Sequence, residues 1–378
     1  MIILTTSPSP RRRYESNVFI SASNALNKHK SNSNIVCDGI NDEQQVLSII
    51  DEFKDENVGG AIQLSEGDFN FDDTVLMEDN ISILGAGMGA TTITQSASNK
   101  TTFDAITNCN YDGSHVSIKD LTLILPLTNS GDGINIGTRS IVENIRLGGG
   151  TPDSYGIRVT NAYLFSLRNI YTTEGTDPQP IQANMNPLLV ECTDNLYNYG
   201  NAQIQNIQGL IQEDCTGITF RGVPNSHPIN LIDVSSVNLA GRPNKTNQIG
   251  ISLENVGSCS FTSLDLEQFA TAIDMSPCRG SVFTNCYFDA DENVGYDDNC
   301  NTNLFVGGHN PQIPINVGDY VHGGSWSGVI GGPPTTGTWT VGNTVKIINP
   351  QPGGYLGYVC IETGEPGIWK GFGLIEDD

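Results

Sequence analysis

Basic residues are scarce in this chain of 378 amino acids, where 18 lysines and arginines stand against 42 aspartates and glutamates. The formal net charge is −24 at pH 7. A surface of this sign repels free nucleic acid and anionic membranes, so neither is expected as a partner. An anionic polysaccharide would need a cation to bridge it to the protein, which restricts the choice of substrate.

Long apolar runs are also missing, and no segment is apolar enough to cross a bilayer. The first thirteen residues contain a short apolar piece followed by three arginines, an order that differs from a secretory signal. We therefore expect no membrane insertion, and an enzyme secreted by a cell is disfavoured.

Several signatures of enzymes and metal sites are absent from the sequence. It has no G-x-S-x-G motif, no phosphate-binding P-loop and no Cys/His nucleophile arrangement. Its five histidines are scattered without metal-ligand spacing, at His29, His115, His227, His309 and His322. No cofactor and no metal site are therefore predicted, and a bound calcium ion has no supporting motif.

The nine cysteines are an odd number, so at least one thiol is unpaired within a monomer. Cys278 and Cys300 each precede a phenylalanine, Phe283 and Phe305, by five residues. This spacing would stack the two cysteines on neighbouring repeats. We favour buried, stacked thiols at this place, with a disulfide as the alternative.

What the chain does contain is a short repeated phrase. Its copies are Val116–Leu123, Ser140–Leu147, Phe165–Thr172, Ala202–Gly209, Ile232–Leu239, Cys259–Leu266 and Ser281–Phe288. A second short apolar phrase follows each copy and usually opens with a small residue, as at Gly133, Gly156 and Gly250. These openers lie about 22 residues apart where nothing is inserted, and two strands at this period are typical of a parallel β-helix.

Alternation within the phrase indicates how the coils would pack. Apolar residues return at every second position, so one row of side chains points inward. The middle positions hold Asn144, Asn169, Asn206 and Asn285, with Asp120, Ser236 and Ser263 as substitutes. Stacked asparagines can hydrogen-bond from coil to coil and tolerate left-handed backbone.

The predicted fold is therefore all-β, a right-handed parallel β-helix (solenoid). A β-sandwich is the alternative, and a leucine-rich repeat is disfavoured because nothing helical lies between the strands.

A helical cap is predicted at the N-terminal end of the solenoid. Residues 1–34 are expected to form an arm or attachment segment, and residues 35–100 the cap and the first coils. We expect Asp42 to cap a helix that runs to about Lys54. Its apolar face consists of Val46, Leu47, Ile49, Ile50 and Phe53. Such a helix is required because the open end of a solenoid exposes apolar core and unpaired backbone.

The N-terminal motifs carry a family resemblance. They are Cys37-Asp-Gly-x-Asn-Asp42, the helix, Gly59-Gly60, Glu66-Gly67-x-Phe69 and Ile83-x-Gly85-x-Gly87-x-Gly89-x-Thr91-x-Ile93. This run resembles the N-terminal cap of the pectate-lyase-like superfamily. That superfamily includes polysaccharide lyases, glycoside hydrolases, viral tailspikes and inert structural proteins, so the resemblance implies a fold more than a function.

The β-helix is predicted over residues 101–312, and residues 313–378 are predicted to form a small C-terminal β module for trimerisation or receptor contact. Its motifs are Gly337–Val345, Asn349–Gly354, Gly357–Cys360 and Gly364–Trp369. They resemble the module at the ends of phage tail fibres and tailspikes. Trp326, Trp339 and Trp369 all lie in this part. We expect them to serve as core or trimer contacts rather than as sugar platforms, since a small module needs them for its own core.

Nearly the whole chain beyond the first dozen residues resembles the viral tailspike or tail-fibre type of β-helix. This resemblance implies a homotrimer that binds, and often cleaves, glycans of the host surface. Pectin hydrolases of this fold share Asn-Thr-Asp, Asp-Asp, Gly-His-Gly and Arg-Ile-Lys groups. The chain lacks Gly-His-Gly and Arg-Ile-Lys, and its Asp297-Asp298 pair falls in the last coil. The calcium cluster and the basic arginine of pectate lyases have no clear match either.

Candidate site residues follow from the register of the repeated phrase. Two residues beyond the turn, the outward positions are Thr122, Arg146, Tyr171, Gln208, Asn238, Asp265 and Tyr287. Two residues further they are Ile124, Gly148, Thr173, Leu210, Ala240, Glu267 and Asp289. We predict that Arg146, Tyr171, Gln208, Asn238 and Tyr287 bind glycan, because tyrosine rings suit the faces of sugars. Insertions at 174–186, 191–201 and 241–248 are expected to wall a groove beside them.

Three carboxylates in these columns are candidates for catalysis. Residues two apart on a strand lie about 6.5–7 Å apart, and neighbouring coils lie about 4.8 Å apart. Asp265 with Glu267 therefore comes near the carboxyl spacing of inverting glycosidases, and Glu267 with Asp289 near that of retaining ones. The alternative is chance, because a chain with 42 acidic residues will place some of them side by side on a face.

The sequence thus predicts a virion tail protein that recognises a host-surface polysaccharide. A tailspike depolymerase, either a glycoside hydrolase or a polysaccharide lyase, is the alternative, and a passive tail or baseplate component is a further one. The expected partners are the polysaccharide, other virion tail or baseplate proteins, and further copies of the chain in a homotrimer. The expected location is the virion tail, and the medium outside the cell after release.

Overall fold

A computed structural model describes residues 16–107, 115–173, 182–194, 200–224, 228–242, 247–296, 300, 303–308, 320–322, 332–335, 339, 341–342, 344–347 and 350–377. The helices in this part are α1 (Asn27–Lys30) and α2 (Glu43–Asp55). Neither of them is long and apolar enough to cross a membrane.

The solenoid is made of strands β1 to β23, numbered in chain order. They are β1 (Ser16–Ser21), β2 (Ile35–Val36), β3 (Gly60–Leu64), β4 (Gly67–Phe71), β5 (Val75–Leu76), β6 (Ile81–Leu84), β7 (Thr91–Gln95), β8 (Phe103–Asp104), β9 (Ser117–Leu125), β10 (Ile134–Ile136), β11 (Ile141–Gly149) and β12 (Tyr155–Thr160). They continue as β13 (Ser166–Thr172), β14 (Asn186–Glu191), β15 (Gly200–Leu210), β16 (Thr216–Arg221), β17 (Ile229–Ala240), β18 (Ile249–Gly257), β19 (Ser260–Arg279), β20 (Val282–Thr284), β21 (Tyr287–Tyr296), β22 (Leu304–Val306) and β23 (Tyr320–His322).

Every pairing among these strands is parallel and joins one coil to the next. The front sheet contains β9, β11, β13, β15, β17, the first half of β19, and the start of β21. The back sheet contains β10, β12, β14, β16, β18 and the second half of β19. Strands connected in this manner wind as a solenoid, and crossovers between parallel strands are right-handed. The predicted parallel β-helix is confirmed.

The inward row forms one continuous core along the axis. Near its C-terminal end, three phenylalanine rings stack from coil to coil. The ring centroids lie 4.8 Å apart for Phe261 and Phe283, and 4.6 Å apart for Phe283 and Phe305. Identical residues at one position of successive coils fill the same space, so the repeat in the sequence becomes a column in the core.

The cysteines belong to this core. The described ones, Cys37, Cys192, Cys215, Cys259, Cys278, Cys286, Cys300 and Cys360, are all buried free thiols. The backbone amide of Cys278 donates to Sγ of Cys300 at 3.1 Å, which confirms stacking on neighbouring coils as thiols rather than as a disulfide. Burial raises the pKa of Cys286 to about 12. A thiol of this kind is not a nucleophile at neutral pH.

The turn in the middle of each phrase is left-handed, as the asparagines predicted. The backbone angle φ is +61° at Asp120, +57° at Asn144, +55° at Asn169, +57° at Asn206, +57° at Ser236, +55° at Ser263 and +51° at Asn285. Asp120, Asn144, Asn169 and Asn206 are joined by side-chain hydrogen bonds of 2.7 Å from each coil to the one before. We call these four residues the amide ladder.

The predicted helix is present as α2, and its apolar face packs on the core of the first coils. Val46, Ile49, Ile50 and Phe53 are buried in the core, and Leu47 is half-buried against it. These side chains cover the apolar end that a solenoid would otherwise expose.

Asp42 was predicted to cap α2 with its side chain, and this prediction was wrong. The carboxylate accepts hydrogen bonds from the amides of Gly39 and Asn70, each at 2.9 Å. It makes no capping bond to the helix. Because Asn70 lies in β4, Asp42 instead fastens the turn before the helix to the first coils. Desolvation raises the pKa of this buried carboxyl.

The solenoid extends beyond both predicted boundaries. At its start, β1 pairs with β3 from Ser16 to Ile20, so part of the expected arm at 1–34 belongs to the first coil. At its end, β22 pairs in parallel with β23, which lies past the expected limit at residue 312. The strand β23 has only three residues, and its partner in the sheet determines its conformation.

The C-terminal part contains a separate three-stranded antiparallel sheet, with strands β24 (Thr344–Lys346), β25 (Tyr355–Glu362) and β26 (Ile368–Leu374). Its small core holds Trp339, Val345 and Cys360, and the rings of Trp339 and Trp369 make an edge-to-face contact with centroids 5.1 Å apart. The expected core role is therefore confirmed for Trp339 and Trp369, while Trp326 lies outside the described residues.

Candidate functional site

The predicted outward column is a continuous row on the front sheet. Register pairs join Thr122 to Arg146, Arg146 to Tyr171, Tyr171 to Gln208, Gln208 to Asn238, Asn238 to Asp265, and Asp265 to Tyr287. The residues from Arg146 to Tyr287 form what we call the strip. Neighbouring members lie one coil apart, so the strip presents side chains at a spacing of about 4.8 Å along the axis.

Thr122 does not belong to the accessible part of this row. It is buried, and its hydroxyl donates to the carbonyl of Met88. The turn that precedes β7 covers it, because Met88 lies three residues before the start of that strand. The strip therefore begins at Arg146.

Exposure varies along the strip. Gln208, Asn238 and Tyr287 are exposed, with 37% of Tyr287 accessible, while Arg146 and Tyr171 are half-buried. Exposed amides and phenols at regular spacing can donate and accept hydrogen bonds to a chain of hydroxyl groups. Tyrosine adds an apolar ring face for a sugar ring.

Hydrogen bonds hold several strip side chains in place. Asn238 Nδ2 donates to Asp265 Oδ2 at 3.0 Å, and Gln208 Nε2 donates to Asn206 Oδ1 at 2.6 Å. Asn206 Nδ2 donates in turn to the hydroxyl oxygen of Tyr171 at 2.9 Å. A side chain held by its neighbours loses less conformational freedom when a ligand binds, so these contacts preorganise the strip.

The second column was predicted to point outward along its whole length, but its first three residues are not accessible. Ile124, Gly148 and Thr173 are buried. At Thr173 and the nearby Gly149, the end of an insertion covers the sheet. The amide of Ala183 donates to the Thr173 carbonyl at 3.0 Å. Only the later members, from Leu210 onward, are half-buried or exposed.

The predicted carboxylates are brought together at the C-terminal end of the strip. Asp265 and Glu267 lie two residues apart on β19, and Glu267 is in register with Asp289 on β21. Glu267 is half-buried and Asp289 is exposed. The pairing shifts by one residue directly after Glu267, at Gln268 with φ +60°. A bulge at this place bends the strand and re-aims the side chains beside it.

Asp265 differs from its neighbours in its surroundings. Its Oδ1 atom is buried and has no hydrogen-bond partner among the described residues. Desolvation by burial raises the pKa of this carboxyl. The raised pKa favours the protonated form, which can donate a proton or a hydrogen bond.

Charge is distributed unevenly along the front sheet. Arg146 and Arg168 lie on β11 and β13 at one end, and the carboxylates lie on β19 and β21 at the other. The strand β17 and residues 260–267 of β19 contain no lysine or arginine. The acidic end therefore favours a neutral or positively charged sugar over a uronate.

About half of the residues in the insertions expected to wall a groove lie outside the described residues, at 174–181, 195–199 and 243–246. One described edge is consistent with a wall, because the amide of Gly149 donates to the Gln182 carbonyl at 3.1 Å. Among the described side chains, no group of three or more His, Cys, Asp or Glu residues is arranged to hold a metal ion.

Sequence reasoning missed the part that Asn206 plays in the strip. It was interpreted as a turn residue alone, yet it binds Tyr171 and Gln208. The sequence did contain an indication of this role. Asn206 and Gln208 are two residues apart, and Tyr171 occupies the position of Gln208 in the preceding coil.

No protein-family model matches the sequence, and the comparison with curated proteins gives no match. Among solved structures, the chain is similar to the catalytic domain of a GH87 α-1,3-glucanase, with 12% identity and a TM-score of 0.41. That alignment covers 80% of this chain and 55% of the glucanase chain, so this chain spans about half of its length.

Two further solved structures are similar at the same level. PfbA, a surface adhesin of Streptococcus pneumoniae, has 12% identity and a TM-score of 0.37, with 89% of this chain and 97% of the adhesin covered. The Dettilon tailspike protein gp208 has 11% identity and a TM-score of 0.32, with 73% and 64% covered. A glucanase, an adhesin and a tailspike do different things, so a function for this chain has to come from its own side chains.

Proposed function

We propose that this chain is a virion tail protein whose strip recognises a polysaccharide of the host surface. The observation that supports it best is the continuous row of exposed or half-buried polar and aromatic side chains in register on the front sheet. A polysaccharide is itself a repeating chain, so it can meet one side chain per coil. The tail location, with release to the medium, rests on the resemblance of the sequence to tailspikes and tail fibres.

Binding is expected to fall when the strip loses its rings. In the double variant Tyr171→Ala with Tyr287→Ala, each lost ring contact costs about 1.5–3 kcal/mol when the ring is covered by sugar, or roughly tenfold or more in affinity. The measurement is binding to an array of bacterial surface polysaccharides. Tyr163→Ala is the control, because Tyr163 precedes β13 at the other edge of the front sheet. Tight binding by the double variant would rule out the strip.

A depolymerase is the second candidate function, and Asp265 is the specific observation in its favour. A desolvated carboxyl with a raised pKa beside two further carboxylates, Glu267 and Asp289, suits general acid–base chemistry on a glycosidic bond. Either a hydrolase or a lyase is compatible with these groups. A passive tail or baseplate component is the contrasting candidate, and it would show no affinity for any polysaccharide.

Assembly into a homotrimer is part of the proposal, and the C-terminal sheet supports it. This sheet exposes aliphatic side chains, with 49% of Leu356 and 67% of Leu374 accessible, together with Ile361 and Ile368. Apolar surface of this kind on a small module is typical of a protein contact. The same module and the N-terminal arm are the parts that we assign to contacts with other tail or baseplate proteins.

Light scattering of the purified chain at micromolar concentration is expected to give the mass of a trimer. Removing residues 323–378 keeps β23 and the whole described solenoid, so circular dichroism should still show β structure. The trimer should weaken because the exposed aliphatic surface is gone. A full chain that is monomeric would contradict this proposal. A truncated chain that stays fully trimeric would show that the solenoid, rather than the C-terminal sheet, makes the trimer contact.

A further inference from the structure

The last residue of the amide ladder is hydrogen-bonded to a strip residue, and all of the ladder's hydrogen bonds run in one direction. Asn144 Nδ2 donates to Asp120 Oδ1, Asn169 Nδ2 donates to Asn144 Oδ1, and Asn206 Nδ2 donates to Asn169 Oδ1, each at 2.7 Å. Gln208 Nε2 then donates to Asn206 Oδ1 at 2.6 Å. A side chain of the strip is therefore the last member of a chain of five hydrogen-bonded groups.

The residue at the start of the chain determines this direction. A carboxylate accepts hydrogen bonds and has none to donate, so Asn144 must turn its amide nitrogen towards Asp120. The Asn144 side-chain oxygen then faces the next coil. Asn169 and Asn206 take the same orientation, with the amide nitrogen towards the preceding coil and the oxygen towards the following one. Hydrogen bonds in such a series polarise one another, which strengthens the common direction. With an asparagine at position 120, both directions would be open.

The direction has a consequence at Tyr171. Asn206 Nδ2 also donates to the Tyr171 hydroxyl oxygen at 2.9 Å. Because the oxygen accepts this bond, the hydroxyl keeps its own proton for a ligand. In a reversed ladder, Asn206 Oδ1 would face the Tyr171 hydroxyl. The hydroxyl would then donate its hydrogen bond to Asn206 and have none left to donate to a ligand.

We propose that Asp120 is a positioning residue of the strip. Through the three ladder asparagines it orients the amide of Gln208 and leaves the hydroxyl of Tyr171 as a donor to a sugar oxygen. Asp120 lies three coils from Gln208, about 14 Å along the axis, and touches no ligand itself. The role in glycan recognition rests on the proposed function, whereas the direction of the ladder can be measured without any ligand.

The first test is nuclear magnetic resonance of the full chain with ¹⁵N-labelled asparagine and glutamine side chains. In Asp120→Asn we expect the side-chain amide signals of Asn206 and Gln208 to shift or double, because two ladder directions become available. The matched control is Asp233→Asn, which removes an exposed carboxylate of the same sheet outside the ladder. Unchanged Asn206 and Gln208 signals in folded Asp120→Asn would overturn the proposal.

A second variant keeps the test decisive if Asp120→Asn folds poorly. Serine occupies the same turn at Ser236 and Ser263 with left-handed backbone, so Asn169→Ser is compatible with the fold. The shorter side chain interrupts the ladder between Asn144 and Asn206. The amide signals of Asn206 and Gln208 should again change, and their constancy would refute the link.

The third arm measures binding by affinity electrophoresis in gels that contain dextran or mannan, which are neutral polysaccharides. If the wild type is retarded, Asp120→Asn should bind about three- to tenfold more weakly, the effect of one hydrogen bond, while its thermal midpoint stays near that of Asp233→Asn. Shifted amide signals with unchanged retardation would overturn the positioning role. A wild type that neither polysaccharide retards would count against the proposed function, and the amide signals would still decide the direction of the ladder.

Discussion

Replacing Ile50 with aspartate is expected to abolish soluble expression of this protein. Ile50 is 1% exposed, and it lies on the face of α2 that packs on the first coils. A carboxylate at this place would be buried without a partner or would force the helix away from the solenoid. Either outcome costs several kcal/mol. Typical native states are stable by about 5–15 kcal/mol, so this loss is a large share of the total.

The consequence should be aggregation rather than simple unfolding. When α2 leaves, the end of the solenoid exposes apolar core and the edge of a parallel sheet, which readily pairs with other chains. Ser48→Asp is the matched control, since Ser48 is exposed on the same helix. The measurement is the soluble fraction and the thermal midpoint of both variants. A soluble Ile50→Asp variant with unchanged melting would mean that α2 does not close the solenoid.

The register of the strip could be predicted from the sequence because two simple periods determine it. Side chains alternate at every second residue, and each coil repeats the phrase with the turn at one position. Aligning the phrases on the turn is therefore enough to place Tyr171, Gln208 and Asn238 next to one another. The same logic predicted α2, because an open end of a solenoid needs an apolar cover.

What the sequence could not predict depends on contacts outside the repeat. Thr173 is buried because the chain around Ala183 pairs with it, and an insertion has no register to align. Asp42 binds Gly39 and Asn70 instead of the helix, a choice that depends on the position of β4. The raised pKa of Asp265 likewise comes from burial, which the spacing of carboxylates does not reveal.

Glu267→Gln is expected to separate the two functions proposed for the strip. The change keeps the size and hydrogen bonding of the side chain but removes a carboxylate that belongs to both candidate pairs, with Asp265 and with Asp289. If the strip cleaves its glycan, the loss of general acid–base help should lower the rate roughly 100- to 10,000-fold. Affinity should persist, because Tyr171 and Tyr287 are unchanged.

The readout depends on the chemistry. A hydrolase releases reducing ends, and a lyase raises the ultraviolet absorbance through a new double bond. Asp233→Asn again serves as the control, since it removes an exposed carboxylate away from the strip. Full turnover by Glu267→Gln would contradict its catalytic role. A wild type that binds its glycan without forming product would leave recognition as the function of the strip.

The dependence on pH should identify the proton donor. Burial raises the pKa of Asp265, so this carboxyl keeps its proton to a higher pH than an exposed aspartate does. A general acid works only while protonated, so the rate should fall as the pH rises through this raised pKa. Asp265→Asn should lower the rate and remove this limb of the profile, while Asp289→Asn should leave the limb in place. If the fall in rate with rising pH persists in Asp265→Asn, another group is the proton donor.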